Sequence, residues 1–358
     1  MSFERLAPGS TIGVLGGGQL GRMLALAAAR LGMKVHVYEP AADAPAGQVA
    51  NKVTRAEWGD ADALADFAAG VDVVTYEFEN VDLAAIDVLL PLVPVRPGRR
   101  ALEVAQDRIA EKDFLTEIGL VTAPYAAVDG TGSLDAALAR IGTPSILKTR
   151  RLGYDGKGQV RLDPGSSADA AWLAIGGAPS VLEGFVDFER EISVIAARGG
   201  DGAVAAFDPG ENEHRDGILH RTTVPARVPA GTAQDAVLLA GRILTALDYV
   251  GVIGVELFVT RSGLVVNEIA PRVHNSGHWT EAACLIDQFE QHVRAICGWP
   301  LGDGTRHSDA EMVNLLGADA ATAPGLERAR VHLYGKAEAR PGRKMGHATR
   351  LRPRTAAG

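Results

Sequence analysis

Apolar residues in the first hundred positions follow two alternating rhythms. Short unbroken runs, TIGVLG from Thr11, KVHVYE from Lys34, VDVVTYE from Val71 and LVPV from Leu92, read as buried strands. Between the first two, Leu20, Met23, Leu24, Ala27 and Leu31 recur on one helical face, and Gly32 stands where a helix C-cap belongs. Strands alternating with helices predict an α/β unit, a parallel sheet covered on both faces.

The rhythm changes near Asp107. DRIAEKDFLTEIGL reads as a helix closed by Gly119, followed by a strand PYAAV, a helix SLDAALARIG and strands SILKTR and SVLEGFV. A glycine-rich loop, LGYDGKGQ, and a stretch expected to be flexible, DPGSSADA, break up the middle. From Glu189 to about Pro300 the strands lengthen and are joined by hairpin signals such as RGGDG and TRSG. From about Thr305, short strands (MVNLLG, RVHLYGK) lead into an arginine-rich tail. The pattern therefore divides the chain into residues 1–106, 107–304 and 305–358, with no internal repeat.

At 358 residues and 47% hydrophobic content, the chain can bury more than one core. A net charge of −8 leaves no broad basic footprint for nucleic acid, although a few local cations would suffice for a small anion. Two cysteines, Cys284 and Cys297, are too few for a disulfide framework and read as core residues of a protein in a reducing cytosol. Neither a signal core nor a run long enough to span a bilayer is present, so the expectation is a cytoplasmic protein with no membrane partner.

Three stretches carry candidate chemistry. In GVLGGGQLGR, Gly16, Gly18 and Gly21 have dinucleotide-loop spacing, and Glu39 follows eighteen residues after Gly21, near where a ribose-binding acid belongs. A dinucleotide, another anion at a helix N-terminus, and tight strand–helix packing all remain open there. In ILKTRRLGYDGKGQV, Lys148 ends a strand before a loop containing Gly153, Gly156, Lys157 and Gly158. Such a flap can close its amides over a triphosphate while the strand lysine holds inner phosphates; an ordinary hairpin with solvated lysines is the alternative.

The third stretch is VGVIGVELFVTRSGLVVNEIAPRVHNSGHWT. A three-residue loop, Arg261 to Gly263, would set Thr260 opposite Leu264 and Glu256 opposite Glu268. Facing carboxylates repel within an apolar pair of strands, and a magnesium ion held by Glu256, Glu268 and the amide oxygen of Asn267 would relieve that repulsion. The alternative, an exposed hairpin edge, fits poorly with the apolar residues 250–259. Arg272, His274, Asn275, Ser276 and His278 follow at once, a density of donors suited to a small anion beside a phosphoryl group, unless they are structural hydrogen-bonders. Glu183 and Glu191 could bracket an adenine hinge and a ribose, or be ordinary strand acids. Lys336 and Arg343, in YGKAEARPGRKMGH, could grip a phosphate or form a solvated face.

A glycine-rich first loop, a strand lysine, a glycine-rich flap and paired late acids, in that order, resemble the ATP-grasp superfamily. Within it, GGGQLGRM, GYDGKGQ, NEIAPRVHNSGHWT and RPGRKMGH are similar to the N5-carboxyaminoimidazole ribonucleotide synthase family, from about Thr11 to His347. The resemblance implies an N-terminal preATP-grasp domain, a central ATP-grasp domain with a flap subdomain at about 122–185, and a small C-terminal domain. It also implies ATP and Mg2+ as cofactors, 5-aminoimidazole ribonucleotide and bicarbonate as substrates, and a homodimer. By residue, it assigns ATP to Arg108, Lys148, Gly153, Tyr154, Asp155, Gly156, Lys157, Gly158, Gln159, Glu183, Gly184, Phe185, Val186, Glu191, His214, Asn267 and Glu268, and the metal to Glu256 and Glu268. The ribonucleotide would meet Gln19, Leu20, Glu77, Tyr154, Asp155, Lys336 and Arg343, while Arg272, His274 and Asn275, catalytic together with Lys148, would hold bicarbonate. The tail after His347 is shorter than the family leads one to expect. Rival readings are another ATP-grasp ligase such as a formate-dependent transformylase, a nicotinamide oxidoreductase, and a nucleotide-binding protein without catalysis.

Overall fold

The structure is a computed structural model describing residues 5–153 and 156–355. Its first unit is a four-stranded parallel sheet of β1 (Thr11–Leu15), β2 (Lys34–Tyr38), β3 (Lys52–Thr54) and β4 (Val73–Tyr76), in the order β3-β2-β1-β4. Helices α1 (Gln19–Arg30), α2 (Ala61–Ala68), α3 (Leu83–Leu89) and α4 (Arg99–Ala105) accompany it. Side chains alternate across the strands. Ile12, Val14, Val35 and Val37 join a core with Leu20, Met23 and Leu24 of α1, while Leu15, Tyr38, Val74 and Tyr76 join another with Phe67 of α2 and Ile86 of α3. Burial on both faces explains the unbroken apolar runs. The LVPV run does not become a strand: Val95 makes only an isolated bridge to Val74, since Pro94 has no N–H to extend a ladder.

The start of α1 is sealed by the protein's own acids. Gly17 N donates to Glu39 Oε2 at 2.7 Å, Gly18 N to Glu77 Oε1 at 2.8 Å and Gly21 N to Glu77 Oε2 at 3.3 Å. A Cβ on Gly18 would lie 2.9 Å from Glu77 Oε1, so the absent side chain is what admits the carboxylate. Gly32, at φ +73°, ends the helix turn as the pattern predicts.

α5 (Arg108–Glu117) is capped by Asp107, which accepts from Ile109 N and Ala110 N, and its chain turns at Gly119 (φ +73°). It leads to an antiparallel sheet of β5 (Tyr125–Val128), β6 (Ser145–Thr149), β7 (Gln159–Leu162) and β8 (Ser180–Gly184), ordered β5-β8-β6-β7. α6 (Thr131–Ile141) and α7 (Ala168–Ala174) cover one face with Leu134, Ala137 and Ala171. The stretch expected to be flexible, DPGSSADA, is instead a turn running into α7: Ser166 Oγ accepts from Asp163 N, and Ser167 caps the helix through Ala170 N. Serines in that pattern serve caps as well as loops.

The largest sheet has nine strands: β9 (Arg190–Arg198), β10 (Val204–Ala206), β11 (Gly210–Arg215), β12 (Ile218–Val224), β13 (Gly251–Thr260), β14 (Gly263–Ala270), β15 (Ser308–Leu316), β16 (Ala329–Leu333) and β17 (Lys344–Pro353). Its order is β14-β13-β9-β11-β12-β15-β17-β16, with β10 beside β9. Strands from the last part of the chain thus extend the central sheet through β12 and β15: β16 is as short as expected, while β15 and β17 run to nine and ten residues. β17 takes up most of the arginine-rich tail. The seventeen-residue α8 (Ala230–Ala246), which the strand-dominated reading passed over, packs Ala236, Ala240, Ile243 and Leu244 against this sheet.

Two short segments tie the units together, α9 (Thr280–Ala283) and α10 (Gln288–Ile296). Phe289, Val293 and Ile296 of α10 share a core with α1, and Arg30 Nη2 donates to Asp287, the α10 cap, at 2.6 Å. His292 receives Val252 N on Nδ1 and lies 2.8 Å from Thr75 Oγ1 through Nε2, linking β13 to β4. Glu281 Oε2 lies 3.1 Å from His332 Nδ1 and 3.2 Å from His347 Nε2, tying α9 to β16 and β17. Among the described residues, no helix is long and apolar enough to cross a membrane.

The acid-capped start of α1 yields one test. Gly18→Ala pushes a methyl group against Glu77, and the fold should lose about 1–3 kcal/mol, read by chemical denaturation; undiminished stability would show that Glu77 does not depend on that close approach.

Candidate active site

The β13–β14 hairpin turns on two residues, Arg261 and Ser262, one fewer than expected: Thr260 faces Gly263 and Val259 faces Leu264. Continued unbroken, this register would set Glu256 against Asn267. A bulge between Leu257, paired with Val266, and Glu256 takes up Asn267 as the extra residue, so that Glu256 faces Glu268 after all. The expected pairing is therefore present, but it is produced by a tighter turn compensated by a bulge, a device that re-aims side chains near functional sites.

Cations and neutral donors surround the pair. Arg108 Nη1 donates to Glu268 Oε2 at 3.0 Å, and Arg108 Nη2 reaches Gly153 O at 3.4 Å. His274 Nε2 lies 3.3 Å from Glu256 Oε1. Burial, and then the charge of Glu268, push Glu256 up to about 7. Burial acts on Glu268 in the same sense, but Arg108 overrides it and holds Glu268 well below the usual carboxylate range. Burial, reinforced by the positive charges of Arg272 and Lys344, depresses His274 to about 3 and keeps its imidazole neutral at physiological pH. Two facing carboxylates offer oxygen donors of the kind a hard divalent cation such as magnesium takes.

Of the other expected residues, Lys148, Glu191, His214 and Arg272 are close enough to interact electrostatically with this pair. Lys148 Nζ donates to Glu183 Oε2 at 2.9 Å, and Glu191 Oε2 meets His214 Nδ1 at 2.5 Å. Against the opposing effect of burial, Glu191 raises the His214 pKa. Arg272 Nη2 pairs with Glu79 at 2.8 Å. Asn275 exchanges amide hydrogen bonds with Asn314, at 2.9 and 2.8 Å. At the hinge, Gly184 N donates to Pro124 O and Phe185 N to Pro144 O, with Val186 following. In the flap, Gly156 and Gly158 have φ +74° and +69°; a Cβ on Gly156 would come within 3.2 Å of Gly217, so the flap lies against the β11–β12 turn. Lys157 and Gln159 continue into β7, where Gln159 pairs with Lys148. Tyr154 and Asp155 lie outside the described residues.

Residues assigned to the ribonucleotide are more scattered. Leu20 is buried in the α1 core, which leaves only its backbone for a ligand, and Gln19 beside it is half-buried. Glu77, already bound to two loop amides, feels the charge of Arg272. Lys336 Nζ donates to Lys344 O at 2.8 Å, and Arg343 Nη1 to Glu338 O at 2.9 Å within its own turn. Gln48 Nε2 donates to Gly335 O at 2.7 Å, which brings the start of that turn against the first unit.

The dinucleotide reading of the first loop fails. Its helix-start amides are already taken by Glu39 and Glu77, and two carboxylates there would repel a pyrophosphate. Glu39 also accepts from Ala41 N at 2.9 Å, so it closes the loop and its ribose-like spacing is coincidental.

Several site residues went unread in the sequence. Glu111 accepts Ile269 N at 2.6 Å and is pushed up to about 8 by burial and by Glu268. Lys112 lies buried 3.3 Å from Glu183 Oε1. Lys344 acts electrostatically on Glu256, His214 and His274. Glu111 and Lys112 sit at adjacent positions of α5 and both are buried; adjacent charges on a helix read locally as a solvated face, so the sequence carried no signal for them.

Comparison with known proteins matches residues 10–106 to the ribonucleotide synthetase preATP-grasp domain, 113–289 to the ATP-grasp domain and 310–357 to the phosphoribosylaminoimidazole carboxylase C-terminal domain. An N5-carboxyaminoimidazole ribonucleotide synthase of Brucella melitensis biotype 1 is 57% identical over 361 residues, covering 99% of this chain and 100% of that one. One from Pseudomonas aeruginosa is 45% identical, covering 94% and 93%. Among solved structures, the Staphylococcus aureus N5-carboxyaminoimidazole synthetase complexed with ADP superposes with a TM-score of 0.94 at 36% identity, covering 98% of this chain and 95% of that one. The Aspergillus clavatus synthase, in complex with ADP and 5-aminoimidazole ribonucleotide, gives 0.89 at 32% identity, covering 97% and 94%. Identity of this extent from end to end, with three domain matches in succession, means that the chain belongs to the N5-carboxyaminoimidazole ribonucleotide synthase family of the ATP-grasp superfamily.

Proposed function

We propose that this protein carboxylates 5-aminoimidazole ribonucleotide to its N5-carboxyamino form in purine biosynthesis, consuming ATP and bicarbonate and releasing ADP and phosphate. The observation that carries the reading is the Glu256–Glu268 pair, set face to face by a bulge and ringed by Arg108, Lys148, His214 and His274, in a chain that matches synthases along its whole length. Residues 1–106, 107–304 with a flap at about 122–185, and 305–358 would be its three domains, the last adding its strands to the central sheet.

Lys148 and Arg108 would neutralise phosphate oxygens, and the glycine-rich flap from Gly153 to Gln159 would close over them. The hinge from Glu183 to Val186 would receive adenine, with Glu191 and His214 near the ribose. Magnesium, held by Glu256, Glu268 and Asn267, would supply charge neutralisation along the triphosphate. Arg272 and neutral His274 would orient bicarbonate so that one of its oxygens attacks the γ-phosphorus as the bond to ADP breaks, forming carboxyphosphate. Closure of the flap keeps water from this labile anhydride. Its breakdown releases carbon dioxide and phosphate; the exocyclic amine attacks the carbon, and phosphate takes the amine proton. Lys336 and Arg343 would hold the phosphate of the ribonucleotide in an otherwise acidic protein.

ADP release that requires both bicarbonate and 5-aminoimidazole ribonucleotide tests the reading directly, and release with formate in place of bicarbonate would favour a transformylase. ATP with magnesium should raise the melting temperature while NADH leaves it unchanged. Glu268→Gln should lower turnover by roughly two orders of magnitude with the fold intact; wild-type activity would remove Glu268 from the metal. Below about 7 Glu256 holds a proton that a cation must displace, so Mn2+ affinity, followed by electron paramagnetic resonance, should rise up to about tenfold per pH unit and level off above that point. Glu256→Gln should flatten this slope. Arg343→Ala should raise KM for the ribonucleotide by roughly ten- to a hundredfold and leave KM for ATP alone; equal, near-wild-type constants would return Arg343 to the solvated surface.

A further inference from the structure

Glu183 has two lysine partners where charge balance asks for one. Lys148, from the end of β6, donates to its Oε2 at 2.9 Å. Lys112, from α5, lies 3.3 Å from its Oε1. Lys112 is 1% exposed, and neither its Nζ nor Glu183 Oε1 makes a hydrogen bond. An ammonium so thoroughly removed from water is costly unless it is paired with an opposite charge, and Glu183 is the carboxylate that Lys112 meets.

The two lysines differ in freedom. α5 is fastened at Asp107, which caps the helix while its carboxylate takes two bonds from Arg150, and at Glu111, which accepts Ile269 N. Lys112 is therefore held in place. Lys148 stands at the mouth of the flap; to neutralise phosphate oxygens, the role given to it above, its ammonium would turn from Glu183 toward ATP. Without a second cation, that transfer would strand a buried carboxylate.

We infer that Lys112 is the standing counter-ion of Glu183, a positioning residue that allows Lys148 to pass to the nucleotide without leaving Glu183 unpaired. This rests on the ATP-binding reading. The charged groups acting on Glu183 are Lys148 from β6 and Lys112 and Arg108 from α5. Tyr125, its neighbour across β5, commits its hydroxyl to Asp113. With Lys112 removed, Lys148 stays paired until nucleotide arrives, and Glu183, then buried and alone, takes up a proton. Its pKa is low before binding and high afterwards, so ATP affinity in that variant should fall as pH rises through the interval between the two values.

The test is calorimetric titration of the full chain with magnesium and a non-hydrolysable ATP analogue, at pH 7.5, in buffers of different ionisation enthalpy. Lys112→Met should weaken binding by roughly tenfold or more and add about one proton of uptake relative to wild type. Lys112→Met combined with Glu183→Gln should abolish the extra proton, and Lys112→Arg, which keeps the charge, should match the wild-type proton count. A Lys112→Met protein that melts earlier but binds nucleotide with unchanged affinity and proton count would make Lys112 merely structural and overturn the inference. Should that variant fail to fold, extra proton uptake by Lys112→Arg overturns it and a wild-type count supports it. A wild-type chain that does not bind the analogue would fail the functional reading itself, and this inference with it.

Discussion

Two carboxylates facing each other across an apolar pair of strands are the constraint around which the site is arranged. Left alone, Glu256 and Glu268 would repel, the more so because Glu256 is largely withdrawn from solvent. The surroundings answer asymmetrically. Arg108 holds Glu268 ionised, whereas Glu256 retains its proton to about 7 beside a neutral His274. The pair thus resembles a cation site in its resting state, one acid charged and the other poised to ionise when a cation arrives. Behind it, Glu111 repeats the arrangement on a smaller scale, its carboxyl pushed up by burial and by Glu268 while it anchors β14 through Ile269 N.

Holding such groups in register requires a rigid frame, and α10 supplies much of it. The Gln288 side chain binds both sides of His274, accepting its N–H at 2.9 Å and donating to its carbonyl at 2.8 Å. Asp287 next to it joins Arg30 of α1, and His292 one turn on joins β4 to β13. A single nine-residue helix therefore connects the first unit, the central sheet and the loop that carries Arg272 and His274. The opposite end of that loop is held by Glu281 between His332 and His347, so the last strands are braced against the site as well as hydrogen-bonded into the sheet.

The first loop shows how one local pattern supports opposite meanings. Glycines at a helix start allow close approach by an anion, and the spacing alone leaves its identity open. Here the anions are Glu77 and Glu39, side chains from the ends of β4 and β2. Because parallel strands bring residues 39 and 77 to the same edge as residue 17, the amides are filled from within the fold.

The sequence by itself determined the rhythm of strands and helices, the flap glycines, the β13–β14 hairpin and most of the residues around the paired acids, because periodicity, turn glycines and charge in an apolar run are local signals. It misjudged what depends on partners far along the chain. LVPV lacked a donor for its ladder, α8 was hidden among strands, and the last strands joined a sheet begun a hundred residues earlier. The Glu256–Glu268 pairing was legible as an outcome, but only the fold revealed the short turn and the bulge at Asn267 that produce it. Tertiary structure alone decided that Glu39 caps a loop, that Glu111 and Lys112 are both buried, and that Lys344 faces the site. Each of these depends on which distant backbone or charge a side chain meets, and spacing within one segment carries no information about that.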